Sequence, residues 1–151
     1  VAIPCQLYLE LSKAARQEGI PDQEVSLSIF GNEVNIGRDS YAGSIIASKV
    51  VAETNLTAHT IISRDVDIGP SSQIDSLVIQ DRGKPSLGDS SYVDELIIGR
   101  GVNLIFGKEC AVDDLYCVER PSYKSAAGLQ LYSVNPISYE RFLRVVSSLS
   151  G

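Results

Sequence analysis

Consecutive stretches of this chain repeat one another. Asp75-Ser76-Leu77-Val78-Ile79 runs on to Leu87-Gly88-Asp89-Ser90-Ser91-Tyr92-Val93, and Asp94-Glu95-Leu96-Ile97-Ile98 runs on to Phe106-Gly107-Lys108-Glu109-Cys110-Ala111-Val112. Asp113-Asp114-Leu115-Tyr116-Cys117 opens a third copy. A period of about 20 residues, built from short runs of alternating apolar residues, specifies a stacked array in which each unit buries its apolar face on the next.

The same pattern continues upstream at a shorter period. Val34-Asn35-Ile36-Gly37, Val50-Val51-Ala52 and Val66-Asp67-Ile68-Gly69 stand sixteen residues apart, and Ile45, Ile61 and Leu77 follow at matching offsets. Successive strand side chains face opposite ways, so Leu77 and Ile79, Leu96 and Ile98, and Leu115 and Cys117 are expected to point inward together. The fold class predicted is mainly β: a single-stranded parallel β-solenoid (β-helix) of five to six coils. Ser40, Ser72, Ser91 and Cys110 recur just after a glycine, which marks an inward place at a tight corner. The glycines at 37, 69, 88 and 107 are expected to supply the backbone freedom of that corner. The polar insert Asp81-Arg82-Gly83-Lys84-Pro85 reads as a loop off one edge.

The two ends differ from the middle. Pro4 followed by Gln6 to Arg16 reads as a helix, and Val25, Leu27 and Ile29 alternate as a first strand. Ser138 is placed to cap a second helix in which Phe142, Val145, Val146 and Leu149 share one face. Terminal helices are expected to cover the open ends of the stack. The organisation predicted is an N-terminal helical cap over 1–22, the solenoid over 23–120, and a C-terminal segment with its capping helix over 121–151.

Composition narrows the function classes. A net charge of −6 argues against non-specific nucleic-acid binding, which needs a basic face to neutralise phosphates. No apolar run is long enough for a transmembrane segment. Cys5, Cys110 and Cys117 lack framework spacing and read as reduced thiols in a cytoplasmic setting, with one disulfide in an exported protein as the alternative. The chain contains no Met, so it is expected to be either processed or part of a larger protein. No catalytic residues and no cofactor are expected.

Two groups of residues are candidates for function. Ile46, Ile62, Val78, Ile97 and Tyr116 form an outward apolar column, which must be covered by the C-terminal helix, by the segment from Leu129 to Tyr132, or by a partner. Asp75, Asp94, Glu95, Asp113 and Asp114 would stack at coil spacing as a candidate ligand or cation face, although turn aspartates commonly bond their own backbone. His59 reads as an exposed strand residue, and zinc on Cys110 and Cys117 lacks a CxxC pair. Tyr41 and Tyr92 occupy equivalent places and would offer a stacking surface to a sugar or a peptide.

Two families share this rhythm. The units Ile36-Gly37-Arg38-Asp39-Ser40, Ile68-Gly69-Pro70-Ser71-Ser72 and Leu87-Gly88-Asp89-Ser90-Ser91 are similar to the hexapeptide units of left-handed acyltransferases, but they do not run in unbroken sixes. Acyl transfer in that family usually depends on a His, and here only His59 is available. Val34-Asn35-Ile36-Gly37, leading to Ala42-Gly43-Ser44-Ile45 and Ala47-Ser48-Lys49-Val50-Val51, resembles bactofilins, the polymer-forming cytoskeletal solenoids of bacteria. The resemblance covers residues 33 to 80 and lies in period and residue type. It implies nucleotide-free self-assembly and scaffolding, whereas Asp75, Asp94 and Asp113 replace that family's recurrent glycines. The function expected is a non-enzymatic scaffold or protein-interaction module, partnered by itself or another protein, within a larger bacterial protein. The alternative is a carbohydrate- or cation-binding, or glycan-acting, solenoid that uses the acidic face.

Overall fold

The computed structural model describes residues 28–150. The predicted helix over 6–16, the boundary at 22, and Cys5, Val25 and Leu27 lie outside the described residues. The chain winds into a parallel β-solenoid of about six turns followed by one helix. In order, the elements are β1 (Ser28–Ile36), β2 (Tyr41–Ala52), β3 (Thr57–Ile68), β4 (Gln73–Leu87), β5 (Tyr92–Ile98), β6 (Asn103–Phe106), β7 (Ala111–Cys117), β8 (Ser122–Ser125), β9 (Gln130–Pro136) and α1 (Tyr139–Ser150).

Pairing follows the repeat. Ile45 pairs with Ile61 and Ile61 with Leu77, a step of sixteen residues. Leu77 then pairs with Leu96, Leu96 with Leu115 and Leu115 with Val134, a step of nineteen. The change happens inside β4, where Ser63 pairs with Ile79 but Asp65 pairs with Lys84. The insert expected as a loop is therefore partly threaded into the sheet. Pro85 is buried opposite Val66 within the regular run from Asp65–Lys84 to Ile68–Leu87, and the register shift just before it takes up the three residues by which the period lengthens.

The stack also continues beyond the expected limit at 120. β8 pairs with β6 and β9 pairs with β7, so the last coil extends to Pro136. Residues 121–136 read poorly as strand because three of their corner and outward positions are Lys124, Asn135 and Gln130, which lack the apolar alternation of the earlier coils.

The core is the column set predicted. Ile45, Ile61, Leu77, Leu96 and Leu115 are buried in one file, and Ala42, Ala58, Ile74, Val93 and Val112 in another. Cys110 and Cys117 are free thiols buried among them. Burial pushes both thiols above the ordinary cysteine value, so they act as small core residues and not as nucleophiles.

The corner works differently from the expectation. The left-handed backbone sits two residues after the glycine position, at Asp39, Asn55, Ser71, Ser90, Glu109 and Gly128. Each of the first five donates its N–H to a carbonyl one coil on, as Ser90 does to Lys108 at 2.8 Å. The glycines are required by stacking: a Cβ on Gly69 would lie 2.5 Å from the Glu53 carbonyl carbon, and one on Gly88 would lie 2.5 Å from the Pro70 nitrogen. Serines fill the inward place because they satisfy the backbone that this crowding buries. Ser72 Oγ donates to the Gly69 carbonyl at 3.0 Å and accepts the Leu56 N–H at 3.1 Å.

Candidate functional site: the helix-covered flank and the open last coil

The outward apolar column exists as predicted, but the chain covers most of it. Ile62 and Val78 are fully buried and Ile97 is 6 % exposed, all packed with Phe142 of α1. Val118, Ile137, Tyr139, Val145 and Val146 complete the cluster, while Ile46 and Tyr116 at the two ends of the column are only half-buried. Each fully buried Ile, Val or Phe side chain contributes about 1.5–3 kcal/mol, so four of them hold the helix firmly against displacement by a partner. The middle of the column is therefore core in this chain.

Sequence chemistry explains how α1 reaches that place. Ser138 Oγ accepts the Arg141 N–H at 3.1 Å and starts the helix, as expected of an N-cap. Tyr139 then donates its hydroxyl to Asp81, and the Arg100 guanidinium lies 3.7 Å from the centre of the Tyr139 ring. Asp81 also accepts the Arg100 N–H at 2.9 Å, so one carboxylate joins two coils and the helix. This clamp was hidden in the polar insert, whose only sequence signal was an acidic residue beside a threading irregularity.

The helix expected to cap the end of the stack thus lies along its flank. Turning back from β9, it leaves the last coil open. Among the described residues β8 and β9 are each paired on one side only. Val134 continues the buried file of Leu96 and Leu115, yet it is 49 % exposed. Tyr132 and Tyr123 are exposed on the same two strands. Leu129 and Leu131 pack against the core from this coil.

The acidic residues lie on a bend of the coil, since the ladders skip Asp75, Asp94 and Asp113 while pairing the residues on either side. They stack, but no hydrogen bond from a backbone N–H to any of the three is seen among the described residues. The carboxylates that do accept backbone N–H groups are Glu53, Asp81, Asp89 and Glu119. Tyr92 donates its hydroxyl to Asp113, and this bond, with loss of hydration and the nearby Asp113 charge, pushes the Tyr92 phenol up to about 12. Partial desolvation raises the Asp94 carboxyl, reinforced by its hydrogen bond with Asp113 and the charges of Asp113, Asp114 and Asp75. Among the described residues no group of three or more His, Cys, Asp or Glu is placed to hold a metal ion. Glu95 and Asp114 are paired neighbours beside this bend.

The remaining candidates are dispersed. Tyr41 and Tyr92 share a column, but Thr57 and Gln73 separate them, so the two rings stand about 14 Å apart along the stack. His59 is exposed, with Nδ1 2.9 Å from the Thr60 hydroxyl. A separate face places Glu33, Lys49, Asp65 and Lys84 in one column of alternating charge, which suits neighbouring strands. Among the described residues no helix is long and apolar enough to cross a membrane. Comparison with protein-family models, with curated proteins and with solved structures gives no match.

Proposed function

We propose that this chain is a non-enzymatic scaffold or interaction module, part of a larger bacterial protein, that associates through the open last coil of its solenoid. The observation that carries this reading is the half-exposed Val134 in a file whose members from Ile45 to Leu115 are buried. A parallel strand edge with unpaired N–H and C=O groups, next to an uncovered end of the core, is a template for strand addition. The partner that fits is a second copy of the chain or a strand of another protein. The resemblance to bactofilins over residues 33 to 80 points the same way, toward a solenoid that assembles.

Light scattering after size-exclusion chromatography, over a range of concentrations, tests the reading. The wild-type mass is expected to rise with concentration, and Val134→Lys is expected to stay monomeric with an unchanged unfolding midpoint. A wild-type chain that stays monomeric at every concentration, and that captures no added strand peptide, would rule the open coil out as an interface.

A further inference from the structure

The helix does not seal the whole flank. Between α1 and the solenoid lies a cavity of about 490 Å³, lined by Ile97, Tyr116, Ile137 and Val145 with Arg141 and Arg144 on the helix side. Glu95, Ser76 and Ser148 complete its lining. The volume falls within the range of sites for small organic ligands, about 300–1,000 Å³. Its apolar part continues the column that the helix otherwise buries, so an apolar occupant would extend the same packing.

The charges select the class of occupant. Arg141 and Arg144 stand three residues apart and hence on one helix face. Both are exposed, and neither guanidinium makes an ion pair or a side-chain hydrogen bond among the described residues. Both cations stand at the rim of an apolar recess in a protein of net charge −6. Glu95 is the one carboxylate in the lining, and it repels an anion from the sheet side. A ligand with a single anionic end would therefore place that end at the helix arginines and its apolar body over Ile97, Tyr116, Ile137 and Val145. A planar guanidinium fork matches a carboxylate in particular.

We infer that this cavity is a binding site for a free single-chain carboxylate amphiphile. The site is separate from the open last coil and does not depend on assembly. The probe is sodium decanoate below its micelle concentration, titrated into the isotope-labelled full chain and followed by methyl and amide NMR. Saturable shifts are expected at Ile97, Ile137 and Val145, with decanol, which lacks the charge, binding at least about tenfold more weakly. The Arg141→Gln/Arg144→Gln variant changes exposed residues only and is expected to lose affinity by a similar factor. Val145→Phe, which fills the recess, is expected to abolish the shifts while the helix amides keep their native positions. Shifts without saturation, or equal binding of decanol, would overturn the assignment. So would retention of decanoate by either variant in its folded state.

Discussion

Tyr139, the first residue of the helix, donates its hydroxyl to Asp81, 58 residues earlier in the chain. That bond, the Arg100 guanidinium over the ring and the burial of Phe142 are what fix α1 along the flank. Their weights differ. The hydroxyl bond lies at the rim, whereas Phe142 is 2 % exposed. Phe142→Ala is expected to cost about 3–5 kcal/mol in urea unfolding, and Tyr139→Phe much less. If the two variants lose equal stability, the clamp and not the apolar contact holds the helix.

Ile97 sits under the helix, so Ile97→Glu is expected to act on folding before it acts on association. Burying an unpaired carboxylate costs several kcal/mol unless the helix lifts away. The variant should show a lower thermal midpoint and lost protection of α1 amides in hydrogen exchange. Native protection of α1 in the variant would show that the column tolerates charge and is not core.

Two neighbouring corner residues should respond with opposite signs. Gly88→Ala drives a Cβ to within 2.5 Å of the Pro70 nitrogen and forces adjacent coils apart, at an expected cost of about 1–3 kcal/mol. Ser90 has a φ of 59°, so Ser90→Gly relieves a left-handed conformation, worth about 1 kcal/mol before the added chain entropy is subtracted. Thermal unfolding of both variants checks the pair. A fall in midpoint for both would mean that the corner depends on the Ser90 side chain.

The acidic bend predicts two pH effects. Tyr92 has a folded pKa of about 12, above its ordinary value of 10.0, so its protonated form is favoured by folding. The stability from this group is complete below pH 10 and is lost as pH rises through about 12. The Asp81 bond raises the Tyr139 phenol as well, so ultraviolet titration should show late-ionising tyrosines, of which Tyr92→Phe removes the component near 12. A titration unchanged by Tyr92→Phe would place the late group elsewhere.

Asp94 follows the same sign. Its folded pKa is raised, so its protonated form favours the fold, and that contribution is lost as pH climbs through the carboxylate range. Asp94→Asn is therefore expected to raise the unfolding midpoint near neutral pH and to lose that advantage in acid. A midpoint lowered at neutral pH would show that the carboxylate makes a stabilising contact.

The repeat, its two periods and the inward files of Ile45, Leu77, Leu96 and Leu115 were all legible in the residues. A strand that slips by one position turns every core side chain to solvent, so the apolar pattern alone fixes the register of the coils. The cap at Ser138 and the apolar face of its helix were legible for the same local reason. Pairing of β8 and β9 was less visible, because strands at the end of a stack carry little apolar signal. Only the tertiary structure decided where the helix lies. Covering the end of the stack and covering the flank both bury Phe142, and the choice rests on Asp81, Arg100 and the column from Ile62 to Ile97 meeting across distant coils. Likewise, the glycine at a corner and the residue in left-handed conformation could be separated only once the coils were stacked, since the clash that excludes a Cβ comes from the neighbouring coil.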